Sequence, residues 1–176
     1  HTISKEVPMK KLLTIAGSDS FGGAGIQADL KTFAALGTYG MSCICALTAQ
    51  NTKGVSMVVN TPISLVKAQL EAIYDDIAPD AVKTGMLGTA AIVDTVSDFL
   101  GNHRSAPLIV DPVMVATSGD KLLEDDAIAL YKEKLIPLAV LITPNIPEVE
   151  VLSGISITSE QDRRKAAEIL MTFGCE

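Results

Sequence analysis

The fold is decided by residues 15–32, which read IAGSDSFGGAGIQADLKT. The apolar run 12–16 predicts a buried strand, and the loop after it has glycine at positions 17, 22, 23 and 25. A helical pattern then begins at once, with apolar residues at positions 26, 30 and 33. A strand, a glycine-rich loop and a helix in this order let the backbone approach a ligand closely. The stretch therefore predicts a ligand site, with Asp29 one turn into the helix.

Strand-like apolar runs alternate with helical patterns along the rest of the chain. The predicted strands are 11–16, 41–48, 55–60, 81–84, 108–111 and 140–143. One predicted helix has Thr61 as its N-cap and Pro62 in its first position, and a second has Thr89 as its candidate cap. Two more cover Glu124–Leu135 and, after a capping box of Ser159 and Asp162, 160–173. Near-continuous apolar strands are typical of strands buried on both faces. The pattern predicts an α/β fold with a mainly parallel, doubly wound sheet flanked by helices. Segment 55–60 follows its predecessor after a short turn, which also fits a small projecting flap.

Composition narrows the class of protein. The 176 residues are 48% hydrophobic and 20% charged, which is enough apolar material for one ordinary domain. A net charge of −7 argues against a nucleic-acid partner. Three cysteines without a CxxC motif indicate a reducing compartment, and two histidines are too few for a zinc site. No apolar run reaches membrane-spanning length, so we expect a cytoplasmic protein without a membrane partner. Residues 1–8 resemble a tag remnant or flexible extension, and 9–176 belong to a single domain.

Polar residues or glycines follow the end of each long predicted strand. These ends are 17–19, 49–51, 83–86, 111–113 and 143–145. Ligands of open α/β sheets bind beyond the carboxyl ends of the strands. Turn residues alone would explain any single end, but the five together favour a site on one rim of the sheet.

Three interpretations of the glycine-rich loop compete. Gly17 and Gly22 have the spacing of a phosphate-binding loop, but Gly23 stands where that loop needs lysine. Residues 23–28, GAGIQA, match a dinucleotide fingerprint, yet no acid follows at the end of the second strand. The third interpretation is a loop that closes over a small organic substrate. In that case Asp29 and Gln50 supply hydrogen bonds from neighbouring elements.

A second group of polar residues follows the later strands. Asp111, Asn145 and Glu148 carry oxygen ligands of the kind that suit Mg²⁺, which is often held together with substrate phosphates. Alternatively, Asn145 initiates a turn and Glu148 lies in a first helical turn beside Pro147. The pattern alone leaves both interpretations open.

Together these segments resemble the hydroxymethylpyrimidine/phosphomethylpyrimidine kinases of thiamine biosynthesis, in the ribokinase-like superfamily. The matching segments are LTIAGSD (13–19), GGAGIQADLKT (22–32), ALTAQN (46–51), KTGML (83–87), VDPVMV (110–115), SGD (118–120) and ITPNIPE (142–148). They occur in family order from residue 10 onward. Any one of them is only suggestive, whereas the ordered set is specific.

The resemblance implies a ribokinase-like fold and an ATP- and Mg²⁺-dependent kinase. Such an enzyme phosphorylates 4-amino-5-hydroxymethyl-2-methylpyrimidine, a small pyrimidine alcohol, and then its monophosphate. The residues implied around the pyrimidine are Gly17, Ala24, Asp29, Gln50, Met86 and Val113. Gln50 would bind the amino-pyrimidine edge, because a carboxamide offers both a donor and an acceptor. Asp111, Asn145 and Glu148 would handle Mg²⁺ and the phosphates, and a homodimer is common in the superfamily.

The chain also departs from the family pattern. Family members continue into a glycine-rich G-T-G-C segment, whose backbone forms an anion hole and whose Cys or Asp activates the alcohol. This sequence has no equivalent, so it resembles the N-terminal two thirds with the C-terminal part missing. We therefore expect no catalytic residue within this chain and no kinase turnover from it alone. The alternatives are a pyridoxal/pyridoxine kinase of the same superfamily and a non-catalytic pyrimidine-binding module, and Gln50 favours the pyrimidine.

Overall fold

The computed structural model describes residues 8–114 and 125–175, which form a six-stranded sheet. The strands are β1 (Lys11–Asp19), β2 (Tyr39–Asn51), β3 (Gly54–Asn60), β4 (Ala81–Thr84), β5 (Leu108–Val110) and β6 (Leu141–Ile142). They lie in the order β3-β2-β1-β4-β5-β6. Every neighbouring pair is parallel except β2 and β3. The predicted α/β fold with a mainly parallel sheet is confirmed.

Six α-helices connect and flank these strands in the described part of the chain. They are α1 (Gly25–Ala35), α2 (Ile63–Asp76), α3 (Ala90–Asn102), α4 (Asp125–Leu130), α5 (Ile146–Ser153) and α6 (Glu160–Met171). Helix α4 continues through a π-helical turn, Tyr131–Leu135, and a 3₁₀ turn, Ile136–Leu138. The predicted third helix thus changes type after Leu130, and its first residue, Glu124, lies outside the described residues. None of these helices is long and apolar enough to cross a membrane.

Two of the helix caps predicted from the sequence are present in the structure, and a third is not. The Thr89 side chain accepts from the Ile92 amide, and Ser159 forms a capping box with Asp162, as predicted. The prediction that Thr61 caps α2 is wrong. The Thr61 amide instead donates to the Cys45 carbonyl of β2 at 2.9 Å, so this residue is tied to the sheet. Pro62 therefore occupies the N-cap position, without a side-chain cap.

The faces of the central strands determine which residues reach the site. Leu13 and Ile15 of β1 are fully buried in the core. The alternate residue, Thr14, points to the other face, where its hydroxyl contacts Asp29 of α1. Lys83 of β4 is the register partner of Thr14 and also reaches Asp29. The sheet thus presents polar side chains from adjacent strands to one residue of α1.

Strand β3 forms an exposed antiparallel edge, and six of its seven residues are exposed. This edge strand fits the predicted projecting flap. Register pairs Val59 with Leu47, and Met57 with Ala49, so these four side chains share one face. The other face carries Val58 and Val55, which line the cleft described next.

Candidate active site

A cleft of about 360 Å³ lies at the carboxyl ends of β1, β2, β4 and β5. It brings together all six residues predicted around the substrate, namely Gly17, Ala24, Asp29, Gln50, Met86 and Val113. Asp111 also lines it, whereas Asn145 and Glu148 do not. The cleft extends from the glycine-rich loop to the inner face of the flap. Residues from widely separated segments therefore converge where open α/β sheets bind ligands.

Asp19 organises the glycine-rich loop from within. Its side chain is nearly buried, and its two oxygens accept from the amides of Phe21, Gly23 and Ala24, each at 2.9 Å. Burial raises the pKa of Asp19, but the backbone N–H groups outweigh burial and hold it below its usual value. The carboxylate occupies the position in which such amides would bind an external anion. This arrangement fits the prediction that the loop is not a phosphate cradle.

The same carboxylate replaces a helix cap. Ala24 is the N-cap residue of α1 and has no side chain able to accept a hydrogen bond. Asp19 supplies a negative charge at that helix N-terminus, where the helix dipole favours it. Gln27 reinforces the connection, because its Oε1 accepts from the Asp19 amide at 2.8 Å and its Nε2 donates to Ser18 Oγ at 2.7 Å. Sequence reasoning missed Asp19 as a structural centre of the loop.

Two glycines permit close approach inside the cleft. A Cβ on Gly25 would lie 2.4 Å from the Gly17 carbonyl oxygen, and Gly25 has a positive φ of 56°. A side chain there would collide with backbone in a conformation that favours glycine. A Cβ on Gly17 would lie 2.6 Å from the terminal methyl of Met86, so Gly17 leaves room for that side chain. Met86 therefore packs directly onto the end of β1 and forms an apolar wall.

Lys83 connects two of the acids in the cleft, Asp29 and Asp111. Its Nζ lies 3.0 Å from both carboxylate oxygens of Asp29 and 3.4 Å from Oδ2 of Asp111. Thr14 adds a hydrogen bond of 2.6 Å from its hydroxyl to Asp29 Oδ2. Lys83 was not among the predicted site residues, although its KTGML segment was predicted to lie on the rim of the sheet that carries the site. Its partners are distant in sequence, so the pairing carries no local signal.

Gln50 is held by its backbone and leaves part of its side chain available. Its amide donates to Ser20 Oγ at 2.9 Å, and the Ser20 hydroxyl is 3.0 Å from the Gln50 carbonyl oxygen. The side-chain oxygen lies 3.3 Å from Thr48 Oγ1, whose hydroxyl donates to the nearer Ser18 carbonyl at 2.9 Å. No residue that the structure describes accepts from its Nε2. The carboxamide is thus positioned at the cleft with donor capacity for a ligand.

Asn145 and Glu148 form the capping box of α5. The Glu148 amide donates to Asn145 Oδ1 at 3.0 Å, and the Asn145 amide donates to Glu148 Oε2 at 2.8 Å. Glu148 is only 2% exposed. Burial raises the pKa of its carboxyl, and the charge of Asp111 adds to that effect against opposing backbone hydrogen bonds. The helix-turn interpretation is therefore correct for both residues.

Asn145 and Glu148 were also predicted to take part in binding Mg²⁺ and phosphates. Within 8–114 and 125–175, no group of three or more His, Cys, Asp or Glu residues could hold a metal ion. Mg²⁺ is commonly bound through one or two carboxylates, with substrate phosphates as the other ligands. Asp111 and Glu148 match that smaller donor set, and the Asp111 charge is close enough to raise the pKa of the Glu148 carboxyl.

Comparison with known proteins identifies the family. The sequence model described as phosphomethylpyrimidine kinase matches residues 19–176. The chain belongs to the phosphomethylpyrimidine kinase family. It is 51% identical over 166 residues to the hydroxymethylpyrimidine/phosphomethylpyrimidine kinase of Bacillus subtilis, covering 94% of this chain and 61% of that relative. The chain thus spans less than two thirds of the relative's length.

Solved structures confirm the ribokinase-like fold. The crystal structure of phosphomethylpyrimidine kinase from Clostridium difficile 630 superposes with a TM-score of 0.88 at 49% identity, over 94% of this chain and 72% of that chain. An ADP complex of Bacillus subtilis pyridoxal kinase gives a TM-score of 0.85 at 37% identity, over 95% and 62%. Both enzymes predicted from the sequence resemblance are therefore represented among the chain's structural relatives.

Proposed function

We propose that the full-length protein transfers the γ-phosphate of ATP to 4-amino-5-hydroxymethyl-2-methylpyrimidine and then to the resulting monophosphate, in thiamine biosynthesis. In the first step the hydroxymethyl oxygen bonds to the γ-phosphorus, its proton leaves to a base, and ADP departs. In the second step a phosphate oxygen of the monophosphate takes the place of the alcohol. The observation that carries the proposal is the convergence of Asp29 and Gln50 on one small cleft with apolar walls.

The cleft suits a small heteroaromatic ring. Its volume of about 360 Å³ is at the lower end of small-molecule sites. Gln50 would offer its carboxamide to the amino-pyrimidine edge, and Asp29 would offer a carboxylate fixed by Lys83 and Thr14. Met86 and Val113 would supply apolar contacts, and the small side chain of Ala24 leaves space beside the ring.

The phosphate side of the reaction falls to Asp111 and Glu148. These carboxylates would hold Mg²⁺, with Asn145 fixing Glu148 through the capping box. The bound ion neutralises charge on the transferring phosphates, which is the main requirement for phosphoryl transfer. The chain's own contribution is Asp111, which lines the cleft, and Glu148 in the first turn of α5, whose pKa the Asp111 charge raises.

The flap supports a homodimer. Its outer face exposes Leu47, Met57 and Val59 by more than half of each side chain. Contiguous apolar surface of this kind marks interaction sites, and a second copy would cover it. We further infer that the protein works in the cytoplasm, which the buried, unbridged thiols of Cys43 and Cys45 fit.

Pyridoxal kinase is the second candidate, because the similarity to the Bacillus subtilis enzyme covers nearly the whole chain. Steady-state phosphorylation of both alcohols by the full-length protein separates the two. We expect a higher kcat/KM for the pyrimidine alcohol and a second phosphorylation of its product. A preference for pyridoxal would overturn the assignment, and binding of the pyrimidine without any phosphorylation would favour a non-catalytic module.

A further inference from the structure

The cleft contains an uneven set of charges. Among its described lining residues, three carboxylates (Asp19, Asp29 and Asp111) accompany one ammonium, that of Lys83. Asp19 is already satisfied by loop amides. The Lys83 ammonium therefore pairs with the other two carboxylates, Asp29 of α1 and Asp111 at the end of β5.

Three hydrogen bonds fix the Asp29 carboxylate in the cleft. Its Oδ1 accepts from Lys83 at 3.0 Å, and its Oδ2 accepts from Lys83 at 3.0 Å and from Thr14 at 2.6 Å. The Asp29 side chain is 15% exposed and that of Lys83 is 26% exposed. A carboxylate has about four lone-pair positions, so little capacity remains beyond one further donor. Asp29 can therefore accept from a ligand in only a narrow range of directions.

A second contact, with Asp111, explains why the Lys83 ammonium stays in place. Asp111 Oδ2 lies 3.4 Å from Lys83 Nζ, so the ammonium is held between two carboxylates. Lys83 is thus hydrogen-bonded to Asp29 and ion-paired with Asp111, so its charge can act on a substrate through these two acids.

We propose that Lys83 is a positioning residue that orients Asp29 toward the pyrimidine alcohol, with Asp111 as its counter-anchor. This inference rests on the proposed function, since it takes the pyrimidine as the ligand of Asp29. Without Lys83, two carboxylates would face each other across the cleft and the Asp29 side chain could rotate. Binding of the pyrimidine would then weaken, while groups of the nucleotide outside this cleft would keep their contacts.

The test is calorimetric titration of the full-length protein with the pyrimidine alcohol and, separately, with ATP. Lys83→Met should raise the Kd for the alcohol roughly 10-fold to 100-fold, the range that one hydrogen bond to a charged group accounts for. The Kd for ATP, titrated without Mg²⁺ so that the proposed metal role of Asp111 does not contribute, should change by less than about threefold. Lys134→Met is the matched control, because Lys134 also bridges two aspartates, Asp94 and Asp98, but lies outside the cleft. It should leave both constants unchanged.

A double-mutant cycle distinguishes positioning from a general structural role. In an Asp29→Asn background, Lys83→Met should weaken alcohol binding by no more than about twofold, because its effect acts through Asp29. Effects that multiply would overturn the proposal, and so would an unchanged Kd in Lys83→Met. If that variant does not fold, Lys83→Gln decides by the same criteria. A wild-type protein that binds no pyrimidine alcohol refutes the proposed function instead, which keeps the two failures distinct.

Discussion

Asp19 offers a direct test of how the glycine-rich loop is built. Replacing it with alanine removes the acceptor for three backbone amides and the charge at the N-terminus of α1. The amides belong to exposed residues, so water replaces part of each bond. At about 1 kcal/mol for each bond, with a further few tenths from the helix dipole, we expect Asp19→Ala to lose roughly 2–4 kcal/mol of unfolding free energy. Asp19→Asn keeps one acceptor oxygen and should lose about half as much.

The assay is urea unfolding of the full-length protein with linear extrapolation. The folded-state pKa of Asp19 is lowered, so its charge stabilises the fold above the unfolded-state value of 3.8. That contribution is lost as the pH falls through the lower, folded-state pKa. The gap between wild type and Asp19→Asn should therefore narrow in acid. Asp76→Ala, at an exposed aspartate in the last turn of α2, is the control and should change stability by less than about 0.5 kcal/mol. A similarly small loss in Asp19→Ala would refute the reasoning.

Three further predictions concern the cleft, α5 and the flap. Gln50→Ala should weaken binding of the pyrimidine alcohol by about 1–3 kcal/mol in calorimetry and leave ATP binding unchanged; equal losses for both ligands would remove its assigned role. The folded-state pKa of Glu148 is raised, so its contribution to the free energy of unfolding is complete below the unfolded-state value of 4.5. That contribution is lost as the pH rises through the folded-state pKa. Glu148→Gln keeps an acceptor for the Asn145 amide and should therefore raise the urea midpoint at pH 7 but not in acid, whereas a lower midpoint at pH 7 would contradict this. Val59→Glu on the outer face of the flap should convert a dimer to a monomer in light scattering, and Thr52→Glu in the hairpin turn, which adds the same charge, should not; an unchanged mass for Val59→Glu would argue against that interface.

The strands were predictable because they are nearly continuous apolar runs, but their ends were not. Strand β1 was predicted to stop at Ala16, yet it continues to Asp19 by pairing with 46–48 of β2. Backbone hydrogen bonds between strands form whether the side chains are polar or apolar, so a hydrophobic pattern does not show where a strand ends. Helix α2 shows the same limit, since Thr61 has the local sequence of a cap but is held by the sheet.

Site residues that belong to family-like segments were predictable, whereas contacts between residues far apart in the sequence were not. The six residues predicted around the substrate do line one cleft, because each belongs to a segment that resembles the family. Lys83 and Asp29 lie 54 positions apart, and only the alignment of β4 with β1 and α1 brings them into contact. Asp19 was hidden for a different reason. Its function is to satisfy the loop's own amides, and no residue pattern distinguishes that from an ordinary turn aspartate.

We propose that the cleft between the glycine-rich loop and the flap holds the pyrimidine alcohol. A crystal structure of the full-length protein with that alcohol would show where the ring binds. We expect the ring against Met86 and Val113, with the Gln50 carboxamide on its amino-pyrimidine edge and Asp29 within hydrogen-bond distance. A ring bound elsewhere, or bound in the cleft without either polar contact, would contradict it.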